Sequence, residues 1–472
     1  MNFFAKTLSV SAMVAGAIFA QTVPNSTISE PAPIGISAST SGVLFSQPFC
    51  DNQTTINGTT VARGVYTVGG TSPTVPLPTS PSCTENYFAV STGLGGFTAN
   101  TAYIAGLTSS GTPVIFEAPL SGGPLTVFSP LPVAGTSSPH TALTFDTVGT
   151  FGFGLIATGS NGIEVLNSSG SVIATYPNPA NGTALLEGAT VAPLSYTQCP
   201  GCLFIVSESL NGGSSGIYVV PAGSPSGTVP MFFATGPAEA EGIVFVPPTP
   251  CTFAGNAYYV SGFSKPPSTG AFSTGGAILG YTSQQIAPYS GQFLVPDEGT
   301  GIIWAYSGPD TSGTVNRTVF SNTGYQLEGS TAVSCPVSTT TSGFMTGGGQ
   351  TANFAASHGM ELGCTANSNH HNLEVNWAGG NQFHLSSIST VTCYLDPSLP
   401  APAPPQASFN TLVLTGTGTY DGHSGATVSA VFTDAGEPGT NDMAEIVVTY
   451  NGQTVLDVPL AKIATGNQQA HR

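Results

Sequence analysis

Three short segments of the 472-residue chain place a carboxylate and a glycine at the head of an apolar run: LEGATV at 186–191, AEGIVF from Ala240 and LEGSTA from Leu327. Glu187, Glu241 and Glu328 therefore occupy equivalent places, and with Glu85 and His140 they are expected around or near one end of a central channel. Several carboxylates converging on a channel can hold a hard cation through oxygen ligands, and calcium or zinc held there can activate water for ester or lactone hydrolysis. The plainer expectation is that they are solvated channel residues. A second acidic spot, DAGEPGTND, carries Asp434, Glu437, Asn441 and Asp442. Its oxygens can bind calcium, although the spacing is not that of an EF-hand; the alternative is that Asp434 and Asp442 accept hydrogen bonds from turn amides.

Other chemistry is less well supported. No G-x-S-x-G elbow occurs in an α/β context, and the only histidine before residue 336 is His140, so no Ser-His-Asp triad is expected. The other six, His358, His370, His371, His384, His423 and His471, invite a metal reading, yet strand alternation and polar loops favour ordinary strand and surface histidines. Trp304 and Trp377 offer aromatic faces for a sugar ring, with packing the commoner role.

The elements that must position these residues are strands. Sixty Gly and 38 Pro leave few windows for a helical stripe, while short apolar runs bounded by Gly, Ser and Pro recur along the chain. HTALTFD, GFGLIAT, GIEVLNS and SVIATYP read as four antiparallel strands, and LEGATVAP, CLFIVSES, GIYVVPAG and VPMFFATG repeat the order. Such four-strand units are the signature of propeller blades. Six blades are expected over residues 21–335, with seven possible; AEGIVFVP, NAYYVSGF and GAILGYTS are grouped as the fifth, and GQFLVPDE, GIIWAYSG and TVNRTVFS as the sixth. Glycine after each glutamate would permit close strand approach at the axis. Residues 336–343 read as a polar linker, and 344–472 as seven to nine strands of a β-sandwich.

Composition bounds the partners. Charged residues are 6% of the chain and the net charge is −17, which leaves no basic surface for nucleic acid or anionic lipid. Residues 1–20 resemble an export signal, with Lys6 before an apolar segment ending at Ala20, and no later run is long enough to span a membrane. An exported chain favours pairing its eight cysteines. Cys364 with Cys393 and Cys199 with Cys202 are the clearest pairs; CPGC is read as a turn-pinning bridge over a redox or zinc motif. Three pairings remain open for Cys50, Cys83, Cys251 and Cys335, with Cys50–Cys83 and Cys251–Cys335 preferred by proximity and elimination.

The segments MTGGGQ, HGMELGC, NLEVNWAGGNQFHLSS, FTDAGEPGTNDMAEI and GNQQAH, spanning about residues 344 to 471, resemble the post-COAP-1 domain, a β-rich module of secreted bacterial proteins with no established activity. Met360 and Gly363 depart from that pattern where aromatic or His is more usual, which argues against a His-based metal site. The first half resembles the NHL and SMP-30 propeller groups in pattern, and its Glu-Gly start is similar to the first metal-ligand segment of SMP-30 lactonases. The expected function is a secreted, non-catalytic protein binding an extracellular ligand or a cell-surface or matrix component, with the carboxy-terminal module for attachment or spacing. A metal-dependent hydrolase or lactonase and a self-associating matrix component are the alternatives.

Overall fold

The computed structural model describes residues 22–472 apart from 31–32, 47–54, 57–58, 61–62, 79–86, 133–140, 180–183, 210–214, 265–274, 310–312 and 403–406. The export segment, Cys50, Cys83, Glu85 and His140 lie outside the described residues.

The fold is all-β. The α-helix Ser283–Ile286 is a single turn, held by a capping box between Thr282 and Gln285. Among the described residues no helix is long and apolar enough to cross a membrane.

Residues 26–334 build four-stranded antiparallel stacks. The hairpin of Leu155–Gly159 and Gly162–Leu166 shows why. Both strands are buried throughout and mostly apolar, with Thr158 and Glu164 the polar members, and they are joined by a two-residue turn closed by the Gly159↔Gly162 pair. Gly162 sits at φ 133, where its hydrogen faces the Tyr176 carbonyl and a Cβ would collide with it. The next strand out, Val172–Pro177, is mostly exposed.

Four such stacks are separate sheets, and an eight-stranded sheet joins two more through a parallel pair, Ala38↔Val333 and Ser39↔Ser334. The first strands of the six stacks are Ile36–Ser39, Phe88–Val90, Leu143–Phe145, Ala184–Val191, Val244–Phe245 and Tyr325–Ser334, and each touches the next in this order until the last meets the first. They line one axis.

The last two stacks differ from the expected grouping. Val244–Phe245 pairs with Phe293–Asp297, followed by Ile302–Pro309 and Val315–Asn322. Tyr258–Ser264 and Gly276–Tyr281 instead join Tyr325–Ser334, and the outer place is taken by Ser26–Glu30. The chain thus leaves the fifth stack after one strand, makes a hairpin in the sixth, and returns. Pairing start and end of the region in one sheet leaves no open edge between the sixth and first stacks. The Cys251–Cys335 disulfide ties the crossing segment to the end of Tyr325–Ser334.

The carboxy-terminal residues form one ten-stranded sheet. Its main path runs from Gln453–Lys462 through Met443–Tyr450, His423–Thr433, Thr411–Tyr420, Asn381–Leu395, His371–Trp377, Ala356–Gly363 and Phe344–Gln350 to Thr465–His471. The ladder is continuous along this path, and it folds over a single core that includes Met345, Leu373, Phe383, Leu414, Phe432 and Ile446. Cys364–Cys393 bridges it.

The two regions share a second core. Tyr394, Val413, Val431, Met443 and Leu460 pack with Val148, Phe153, Leu194 and Leu203 from the third and fourth stacks. Tyr394 hydroxyl donates to the Val148 carbonyl at 2.9 Å. That loop is fixed by buried Asp146, whose carboxylate accepts four backbone N–H groups, from Val148, Gly149, Phe151 and Phe153. Nearby Glu445 is fully enclosed, and burial, with the Asp146 and Asp457 charges, pushes its carboxyl up to about 8.

Candidate functional site

All three Glu-Gly segments sit at irregularities of the pairing. In the fourth stack the register passes from Leu186↔Ser207 to Gly188↔Val206, which leaves Glu187 as the extra residue. In the sixth it passes from Gly262↔Leu327 to Val260↔Ser330, bracketing Glu328 and Gly329. In the fifth, Ala240 bridges Asp297 while Val244 pairs with Leu294, so the strand bearing Glu241 again holds one residue more than its partner. A bulge re-aims a side chain out of the strict alternation of a strand.

The glycines explain the second half of the motif. A Cβ on Gly188 would lie 2.5 Å from the Gly242 Cα, and one on Gly242 would lie 2.9 Å from the Ser330 hydroxyl. One on Gly329 would lie 2.9 Å from the Ile34 carbonyl oxygen. Neighbouring first strands thus touch at these positions, which admit no side chain. Thr158 ties the third stack to the fourth by donating to the Leu186 carbonyl at 2.6 Å.

This geometry brings Glu187 and Glu241 together and adds Glu208. Ligand oxygens of the three lie within 4.8 Å of one another. Glu187 and Glu241 are 1% and 3% exposed, so they are buried rather than solvated, and Glu208 is half-buried. Tyr87, from the second stack, donates its hydroxyl to Glu241 Oε2 at 2.7 Å. Glu328 is buried at the equivalent place in the sixth stack but is outside the three-carboxylate group. Glu208 carries no signal in the sequence: it ends the apolar run CLFIVSES and reaches the site because its strand pairs with the one bearing Glu187.

The group fits a hard cation. Calcium binds oxygen at about 2.3–2.6 Å, so two oxygens on one ion can stand up to roughly 5 Å apart. A divalent ion held between them would take one oxygen from each carboxylate.

The other acidic spot is wired differently. Asp434 accepts from the Gly436 and Ala470 amides, at 3.0 and 2.9 Å. Asp442 accepts from the Ala435 and Gln468 amides, at 2.8 and 2.7 Å. Asn441 Oδ1 accepts from the Lys462 ammonium at 2.8 Å, and Glu437 from the Asn467 amide at 3.2 Å. These contacts are the turn-holding arrangement. Burial, opposed by its two amides and aided by Asp434 and Glu437, pushes Asp442 up to about 6.

The histidines are distributed. His358 is buried against Phe432 and Gln468, and burial lowers its pKa to about 4. His370 and His471 stack on Phe344, and exposed His384 lies 3.5 Å from Glu374. Both tryptophan faces are engaged, Trp304 by Arg317 and Trp377 by Tyr420. Cys199–Cys202 is a disulfide.

No family model matches the chain, and no curated protein matches it. Solved structures that match include a candidate 6-phosphogluconolactonase from Bacteroides uniformis, at 11% identity, 92% of this chain, 98% of that chain and a TM-score of 0.29. The periplasmic gluconolactonase PpgL of Pseudomonas aeruginosa matches at 10% identity over 94% and 99%, with a TM-score of 0.29. The lectin BP39L of Burkholderia pseudomallei matches at 12% over 92% and 98%, with a TM-score of 0.28. Likeness at this level transfers no activity.

Proposed function

We propose that the six stacks are the blades of a six-bladed β-propeller and that the protein is an extracellular binding protein whose axis holds a divalent cation, calcium being the best fit, on Glu187, Glu208 and Glu241. The carboxy-terminal region, which resembles post-COAP-1, serves as a sandwich-like attachment or spacer module. One observation carries the reading: three carboxylates from two adjacent stacks converge within 4.8 Å. The disulfides agree with an oxidising compartment. The test is the thermal midpoint of the purified chain before and after chelation and on adding calcium back. A drop that calcium reverses, and that is lost in Glu187→Gln/Glu208→Gln, supports the site; a midpoint indifferent to chelation and to added calcium removes it.

A second reading is hydrolysis of an ester or lactone at the same place. The Tyr87–Glu241 hydrogen bond favours it, since it sets a proton-bearing hydroxyl beside the carboxylates. It requires turnover that Tyr87→Phe reduces while calcium binding is retained.

A further inference from the structure

The two regions meet over a shared apolar core, and one member of that contact is a carboxylate. Met443, Glu445 and Val447 occupy alternate positions of one strand, so all three point to the same side, towards the third and fourth stacks. Met443 belongs to the core shared with Val148, Leu194 and Leu203. Glu445 and Val447 lie against Gly223 of the fourth stack, where an added Cβ would stand 3.4 Å from each. Glu445 is 2% exposed, and no donor reaches its buried Oε2.

The groups around this carboxyl offer it no counter-charge. From the third stack Asp146 and Tyr176 bear on it. The Asp146 carboxylate accepts four backbone N–H groups of its own loop, and the Tyr176 hydroxyl donates to the Ser224 carbonyl at 3.1 Å. Residues 221–224 of the fourth stack carry no ionisable side chain. Within its own sheet Glu445 pairs with Val431 on one side, and the strand on the other side carries Asp457. Lys462, at the end of that strand, donates instead to Asn441 at 2.8 Å. Both charges that act on Glu445, those of Asp146 and Asp457, are therefore of its own sign. Ionised here, Glu445 would be desolvated, short of a donor and beside like charge, so the docked arrangement favours its protonated form.

The same contact closes a space. Ala189, Ile243 and Ser330 of the first strands line a chamber of about 310 Å³ at this end of the axis, and Tyr394, Asp396 and Pro397 of the carboxy-terminal region complete its wall.

We propose that the carboxy-terminal region is a proton-latched cover on the axis: docking takes up one proton at Glu445, and loss of that proton loosens the contact and uncovers the chamber. Burial, then Asp146 and Asp457, push the docked carboxyl up to about 8, and water restores its ordinary value of 4.5 when the contact opens. A group whose pKa is higher docked than undocked stabilises docking in full below the undocked value and loses that stabilisation as pH rises through the docked one. The latch is therefore tight in acid and slack above about pH 8. Burial also raises Asp146 and Asp396, but backbone N–H groups hold their charge in place, four on the first and that of Ser398 on the second.

Methionine oxidation on the full chain tests this. Met443 is buried in the shared core, whereas Met345 is buried in the carboxy-terminal region's own core. The chain is exposed to dilute hydrogen peroxide at pH values from about 5 to 9, sulfoxide at each methionine is read by peptide mass spectrometry, and free methionine in the same tube corrects for the reagent. Oxidation of Met443 should quicken by up to about 10-fold per pH unit as far as about pH 8 and level off above it, with Met345 unchanged. Glu445→Gln keeps the shape without the titration, and Glu445→Leu needs no hydrogen-bond partner should the amide disturb folding; in both, Met443 oxidation should lose its dependence on pH. The proposal is overturned if Met443 oxidises at one rate throughout, if the rise persists in a folded Glu445 variant, or if Met345 quickens in step with Met443, which would mean that the region unfolds rather than undocks.

Discussion

The two acidic groups of this protein use the same residue types for opposite ends. In the carboxy-terminal sheet, Asp434 and Asp442 each accept two backbone amides, so their negative charge is spent on holding a turn. At the axis, Glu187, Glu208 and Glu241 face one another, and bulges aim two of them there. The first group is held by amides of its own turn and of one neighbouring strand, whereas the second is assembled from strand positions in two adjacent stacks.

Variants can break that contrast. The largest effect is expected at Asp442→Ala, which leaves two buried amides without acceptors and should cost about 2–5 kcal/mol in urea unfolding; a cost within the error of the method would show that the turn does not depend on it. Glu208→Gln, by contrast, should abolish cation binding with the chain still folded, read by calcium titration; retained binding would remove Glu208 from the site. Next is Gly188→Ala, whose Cβ falls 2.5 Å from the Gly242 backbone and should cost about 1–3 kcal/mol by forcing the first strands apart. Tolerance of alanine there would mean that the close approach is not required.

The interface between the regions supplies a pH signature. Because the folded-state pKa of Glu445 is raised to about 8, its contribution is present in full below its ordinary value near 4.5 and is lost as pH rises toward 8. His358 acts in the other direction: its lowered pKa gives stability present above about 6.5 that is lost as pH falls toward 4. Glu445→Gln should therefore flatten the decline of the thermal midpoint between about pH 5 and pH 8; an unchanged slope would remove Glu445 as its source. The smallest effect is expected at His384→Ala, which breaks an exposed pair with Glu374 and should change stability by less than about 0.5 kcal/mol.

Much of this was legible in the residues. Alternation and glycine-bounded runs mark most strands, and the repeated Glu-Gly marks the first strands of three stacks because two physical demands, close approach and a re-aimed carboxylate, fall on adjacent positions. The Cys199–Cys202 and Cys364–Cys393 pairs were also readable, whereas Cys251–Cys335 was one of three open pairings, the preferred one, until the fold brought the two residues together. What could not be read depends on pairing between distant segments. Ser26–Glu30 has no alternation that marks it as the outer strand of the sixth stack, and nothing local sends Tyr258–Ser264 past its sequence neighbour Val244–Phe245. Glu208 and Asp396 acquire their surroundings in the same way, from a partner strand and from a region remote in sequence.

The measurement that bears most directly on the central claim is elemental mass spectrometry of the purified chain, set beside Glu187→Gln/Glu208→Gln. The account predicts one divalent cation per chain in the parent and none in the variant, with both folded. Equal metal content in the two, or none in the parent even after incubation with calcium, would contradict it.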